Sequence, residues 1–213
     1  MILHHGTDPV GSWRFSRPLA ASGDEGESIV RAVDTACEIA AILRAAGLLT
    51  VDRALVRPGA RAAMVSYVIP DADPRSVLAM LPAGDTSAGP SSIRFDGNGE
   101  LVAAGQRRPM RDVVYLRASG FDRHSWVTVA TRCDAWLPFD LRGRPQQALS
   151  DANAPRLRAA LEAIERALGA PGSGESSKFA VSDGYVLHNH VDVCDEPIDI
   201  SEFGYDESWI AAP

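Results

Sequence analysis

Ser92-Ile93-Arg94-Phe95-Asp96-Gly97-Asn98-Gly99-Glu100-Leu101-Val102 is the stretch that decides the fold. Apolar and polar residues alternate on both sides of Asp-Gly-Asn-Gly, which predicts a hairpin with its turn at residues 96–99. Val113-Val114-Tyr115-Leu116 and Trp126-Val127-Thr128-Val129-Ala130-Thr131 read as two further strands, joined through Ser119-Gly-Phe-Asp-Arg-His124. The central part of the chain is therefore expected to be a meander of about four antiparallel strands.

Toward the N-terminus, Leu48 to Ile69 is rich in Leu and Val and is broken by Pro58-Gly59, a turn between two strands. The second of these is Ala62–Ile69. Before them, Ile29, Val33, Cys37, Ala40 and Leu43 recur at steps of three or four, predicting a helix over Glu25–Ala46. Ser22 or Asp24 would cap its start and Gly47 would end it. Residues 1–23 read as a short strand and a loop. Pro74–Leu81 reads as a short helix with proline in its first turn, and residues 82–92 are the best candidate for a mobile loop.

Toward the C-terminus, Leu157, Leu161, Ile164 and Leu168 line one face of a helix expected over Asn153–Leu168. Asn153 would be its N-cap, Pro155 would sit in its first turn, and Gly169 would end it. After a Gly/Ser loop, a last strand is expected near Gly184–His190. Helices bracket the strands without alternating with them. The expected architecture is α+β: one domain over residues 1–213, a central antiparallel sheet, and two main helices packed on it. No internal repeat is visible.

Charge is unevenly spread. The total is −7, and Lys178 is the last basic residue. Asp183, Asp192, Asp195, Glu196, Asp199, Glu202, Asp206 and Glu207 follow it, so residues 179–213 carry −8 and the rest sums to +1. An acidic end of this kind argues against nucleic acid or an anionic membrane as partner and suits a basic protein. It reads equally well as a solvated tail. Cys37, Cys133 and Cys194 are odd in number and widely spaced, which fits a reducing, cytoplasmic setting. The first residues lack the basic and apolar regions of an export signal, and the most apolar run, Ile39–Val51, is too short to cross a membrane.

Three constellations bear on chemistry. In a strand, His188, His190 and Asp192 would share a face and could bind a divalent metal; a polar strand face is the plainer reading. Cys133, Asp134 and His124 offer a thiol, an acid and a base, but His124 and Cys133 lie at opposite ends of one expected strand. No phosphate-cradling glycine loop and no Gly-x-Ser-x-Gly elbow occurs, and no cofactor is expected. Trp136 and Phe139 flank Pro138 among Asp134, Asp140, Arg142 and Arg144. Aromatic and arginine side chains dominate interface hot spots, although an anchor of this loop onto the core is the preferred reading of Trp136.

The strand Trp126–Thr131, the run Asp134-Ala-Trp-Leu-Pro-Phe-Asp-Leu-x-Gly-x-Pro-Gln146 and the helix opening with Asn153-Ala-Pro-Arg-Leu157 resemble bacterial immunity proteins of polymorphic-toxin systems. The resemblance covers about 45 residues and includes no catalytic motif. It implies a small cytoplasmic α+β domain that is not an enzyme and neutralises one cognate toxin by occlusion. Asp192, Asp195, Glu196, Asp199, Glu202, Asp206, Glu207 and Trp136 are then the expected contacts with a basic toxin. The alternative expectation is a metal-dependent enzyme or metal-binding domain using His188, His190 and Asp192.

Overall fold

The computed structural model describes residues 1, 8–16, 25–56, 64–81, 92–121 and 124–200, without the side chains of 25–27 and 121. The expected turn at Pro58-Gly59, the caps Ser22 and Asp24, nearly all of the 82–92 loop, and Glu202, Asp206 and Glu207 lie outside these residues. Among the described residues an eight-stranded antiparallel sheet is formed by β1 (Gly11–Ser16), β2 (Thr50–Val56), β3 (Val65–Val68), β4 (Ser92–Ala103), β5 (Gln106–Arg111), β6 (Val114–Phe121), β7 (His124–Thr131) and β8 (Ser173–Glu175). The strand order is β3-β2-β4-β6-β7-β1-β8, and β5 pairs with β4. The α+β class is as expected.

Register explains the core. Trp13, Val129, Leu116, Phe95 and Ala54 lie side by side across five strands, and Phe15, Val127, Ala118, Ile93 and Val56 form the adjacent row. All ten are buried, because period-two alternation sends them to one face. Helix α1 (Glu25–Ala45) covers that face with Ile29, Ala32, Val33, Ala36, Ile39, Ala40 and Leu43. Helix α3 (Gln147–Leu168) adds Leu157, Ala160, Leu161 and Ile164. A short helix α2 (Ser76–Met80) contributes Val77.

Two expectations are corrected. The Asp96-Gly97-Asn98-Gly99 turn does not exist, since β4 runs straight through it and turns at Ala104 and Gly105, both with positive φ (50° and 74°). Gly97 and Gly99 are needed for close approach instead. A Cβ at Gly97 would lie 2.0 Å from the Thr50 carbonyl oxygen, and one at Gly99 would lie 2.2 Å from that of Leu48. The second helix begins at Gln147, six residues before Asn153. Asn153 is fully buried inside it, and Pro155 is an interior proline.

Candidate functional site

The strand expected over residues 184–190 is shorter: β10 (Val186–His188) pairs with β9 (Val181–Asp183) in a separate two-stranded ribbon. Beyond it the chain makes a second, tighter loop. Val191 bridges Pro197, the Asp192 N–H donates to the Glu196 carbonyl (2.9 Å), and the Ile198 N–H donates to that of His190 (3.1 Å). The Asp192 carboxylate holds the turn by accepting from the N–H groups of Cys194 (2.7 Å) and Glu196 (3.0 Å), an Asx arrangement. Asp195 takes φ 62°, a conformation that Asp and Asn tolerate better than most residues.

This loop is rooted at its base. The Asn189 side chain both donates to the Phe139 carbonyl (2.8 Å) and accepts from the Phe139 N–H (3.1 Å). His190 Nε2 lies 2.9 Å from the Ser177 carbonyl, an acceptor that fixes the ring proton on Nε2. The Ile200 N–H donates to the Leu141 carbonyl, and Ile200 is buried. At the tip, Asp192, Val193, Asp195 and Glu196 are exposed, Val193 fully at 102%, and Val191, Ile198 and Asp199 are exposed nearer the base. The exposed Asp195 and Glu196 thus follow a protruding Val193 on a rooted turn, while the Asp192 carboxylate is spent on the turn itself.

The platform beneath it is the 134–146 segment. Asp140 accepts from the backbone N–H groups of Arg142 (2.9 Å) and Arg144 (3.0 Å) and pairs with the Arg144 guanidinium (2.6 Å). Burial pushes the Asp140 carboxyl up, but the Arg144 side chain and these N–H groups outweigh it and hold the pKa below the ordinary value. The Gln146 amide donates to the carbonyls of Asp134 (2.7 Å) and Leu137 (3.1 Å), and Asp134 accepts from the Leu141 N–H (3.1 Å). The polar residues of the motif therefore serve the loop's own shape.

Several expected site residues are elsewhere. Trp136 is 2% exposed and donates from Nε1 to Thr131 Oγ1 (2.7 Å), so it cannot offer area to a partner. It reaches only the wall of a groove of about 310 Å³ between α3 and residues 185–187. His188, His190 and Asp192 do not share a strand face, because pairing stops at His188 and the Asp192 carboxylate turns inward on its own loop. Among the described residues no group of three His, Cys, Asp or Glu side chains is placed to hold a metal. Cys133 is fully buried, its thiol pushed far up by burial and then by Asp134, while His124 is exposed at the opposite end of β7.

The outer face of the sheet holds what the sequence reading missed. Arg53 on β2, Arg94 and Asp96 on β4, Tyr115 and Arg117 on β6, and Arg132 just past β7 gather there. Asp96 is fully buried, and it accepts from Arg94 Nε (2.7 Å) and lies 3.7 Å from Arg53 Nη2. Arg53 also reaches Asp112 (3.5 Å). The Arg94 and Arg132 guanidinium carbons lie 4.6 and 4.9 Å from the Tyr115 ring centroid, within cation–π range. Burial lowers the Arg132 pKa, and the neighbouring Arg94 charge lowers it further. A sequence signal existed: Lys178 is the one lysine among 21 basic residues, leaving twenty arginines, the residue suited to stacking and forked recognition.

No protein-family model matches the chain, and no curated protein or solved structure matches it either. Among the described residues no helix is long and apolar enough to cross a membrane.

Proposed function

We propose that this chain is a non-catalytic, cytoplasmic protein-binding domain that neutralises a cognate bacterial toxin by occluding it. The loop His190–Ile198 is the contact, with Asp195 and Glu196 facing a basic partner and Asp192 holding the turn that presents them. The observation that carries the reading is Val193, a fully exposed aliphatic side chain amid carboxylates on a turn fixed by the Asp192 side chain. A preformed turn loses little conformational entropy on binding, the apolar tip supplies buried area, and the acids steer a basic surface toward it. Cytoplasmic placement accords with the exposed thiol of Cys194, which a reducing compartment keeps free.

Co-expression tests the reading. If a neighbouring gene encodes a protein with a toxin-like C-terminal domain, that domain is the partner to use. Growth arrest by that domain should be relieved by the wild-type chain and not by Val193→Asp, whose side chain has no packing to lose. Equal rescue by the variant would refute the contact, and absence of rescue by the wild type would refute the function.

A further inference from the structure

The arginine cluster on the outer sheet face is built differently from an ordinary surface ion-pair network. Asp96 engages Arg94 and Arg53, Asp112 engages Arg53, Asp52 engages Arg111, and Glu175 engages Arg14. Arg132 engages no carboxylate. It is 7% exposed, and its guanidinium makes no hydrogen bond or ion pair with any described residue. None of its guanidinium nitrogens is both buried and without a partner, so the charged edge opens to solvent while the stem is buried, and Asp96 and Asp112 attract it only at longer range. Tyr115 supplies only a ring face to it, and Tyr115 is itself buried, 4% exposed. Arg117, directly opposite Arg94 in the β4–β6 register, is exposed and forms no ion pair with a described residue.

Counting the groups on this patch, Arg53, Arg94, Arg117 and Arg132 give +4 against −2 from Asp96 and Asp112. With Arg53 and Arg94 set against Asp96 and Asp112, the surplus is Arg132 at the Tyr115 ring and the exposed Arg117 two residues along the same strand. Nucleic acid would require a track of free cations along a backbone, and here the flanking Arg14 and Arg111 are already paired with Glu175 and Asp52. A point-like surplus between planar donors matches one oxyanion group.

We propose that Arg94 and Arg132, arranged about Tyr115 on the outer face of the sheet, form a binding site for a single oxyanion group, carboxylate or phosphate, of a small ligand. The outward edges of the two guanidinium groups donate to its oxygens, Arg117 adds long-range attraction, and Asp96 holds Arg94 in place from beneath through Nε. The site is independent of the acidic loop and of the toxin-binding reading.

The test is an arginine Nε–H NMR titration of the full chain with inorganic phosphate, and separately with acetate, at constant ionic strength set with chloride. Saturable shifts at Arg94 and Arg132 are expected, with the exposed Arg108 drifting linearly. Arg94→Gln and Arg132→Gln should each weaken binding at least about tenfold, the equivalent of one hydrogen bond to a charged group. Because Arg132 is buried, each variant is first checked by its amide spectrum, and Arg117→Gln serves as an exposed variant expected to weaken binding by only a few-fold. Tighter binding of phosphate assigns a phosphate-bearing ligand, and tighter binding of acetate a carboxylate. Linear drift of all arginines alike with both anions, or saturation that survives a folded Arg94→Gln, overturns the proposal.

Discussion

Replacing Asn153 by alanine should show what holds α3 to the sheet. The Asn153 side chain accepts from the Val102 N–H (2.9 Å) and donates to the Val102 carbonyl (2.8 Å), completing the pairing of β4 where no strand is available. It also donates to the Leu149 carbonyl (2.8 Å) and accepts from Arg156 (3.1 Å). Alanine keeps the helix but orphans both polar groups of Val102. Two lost bonds at about 1 kcal/mol each, plus the cost of leaving half-buried groups unsatisfied, come to roughly 2–4 kcal/mol. Urea unfolding of wild type and variant reads this directly as a lower midpoint at unchanged slope. Asn153→Asp should be at least as damaging, because it keeps an acceptor for the Val102 N–H and faces two carbonyls with no donor. A loss below about 0.5 kcal/mol in Asn153→Ala would refute the claim that this side chain joins helix to strand.

Gly97→Ala should destabilise at or beyond the upper end of the ~1–3 kcal/mol seen for overpacking, since its Cβ meets the Thr50 backbone and no side chain can yield; calorimetry reads the shift, and a near-neutral result would contradict the close approach. At pH 8 one thiol should react quickly with a chromogenic disulfide. That thiol is Cys194, because Cys133 is sealed and burial, followed by Asp73, pushes Cys37 up to about 11. Cys194→Ser should abolish the fast phase, and its survival would place a different cysteine at the surface. The Asp140 carboxyl has a folded pKa below its unfolded value, so its stabilisation is full above the unfolded value and is lost as pH falls through the folded one. Asp140→Asn should therefore lower the denaturation midpoint at pH 7 and converge with wild type in strong acid; a gap that is constant with pH would mean the charge is irrelevant.

The helices and most strands were legible because burial follows period. The face of α1 and the rows led by Trp13 and Phe15 repeat as backbone geometry requires. Misreadings arose where one residue type serves two purposes. Gly97 and Gly99 look like turn glycines but admit a neighbouring backbone, while the real turn at Ala104-Gly105 lacks the usual Asn or Asp. Asn153 and Pro155 look like a helix start but lie inside α3, because a long-range bond to Val102 outweighs local capping preference. The acidic segment was legible as charge, but not as a loop fixed by Asp192 and rooted on Phe139 and Leu141. The arginine cluster was invisible because its members come from three strands and the end of a fourth, and only register brings them together.

The acidic loop is the central claim, and association kinetics test it most directly. The toxin domain whose growth arrest is relieved in the co-expression test would be immobilised and exposed to the wild-type chain and to a Val193→Ser/Asp195→Asn/Glu196→Gln variant, over a range of salt. Asp192 is left intact so that the turn persists. The account predicts a wild-type association rate that falls steeply with salt, a flatter dependence in the variant, and faster dissociation of the variant from loss of the Val193 contact. Superimposable kinetics for the two proteins at every salt concentration would contradict it.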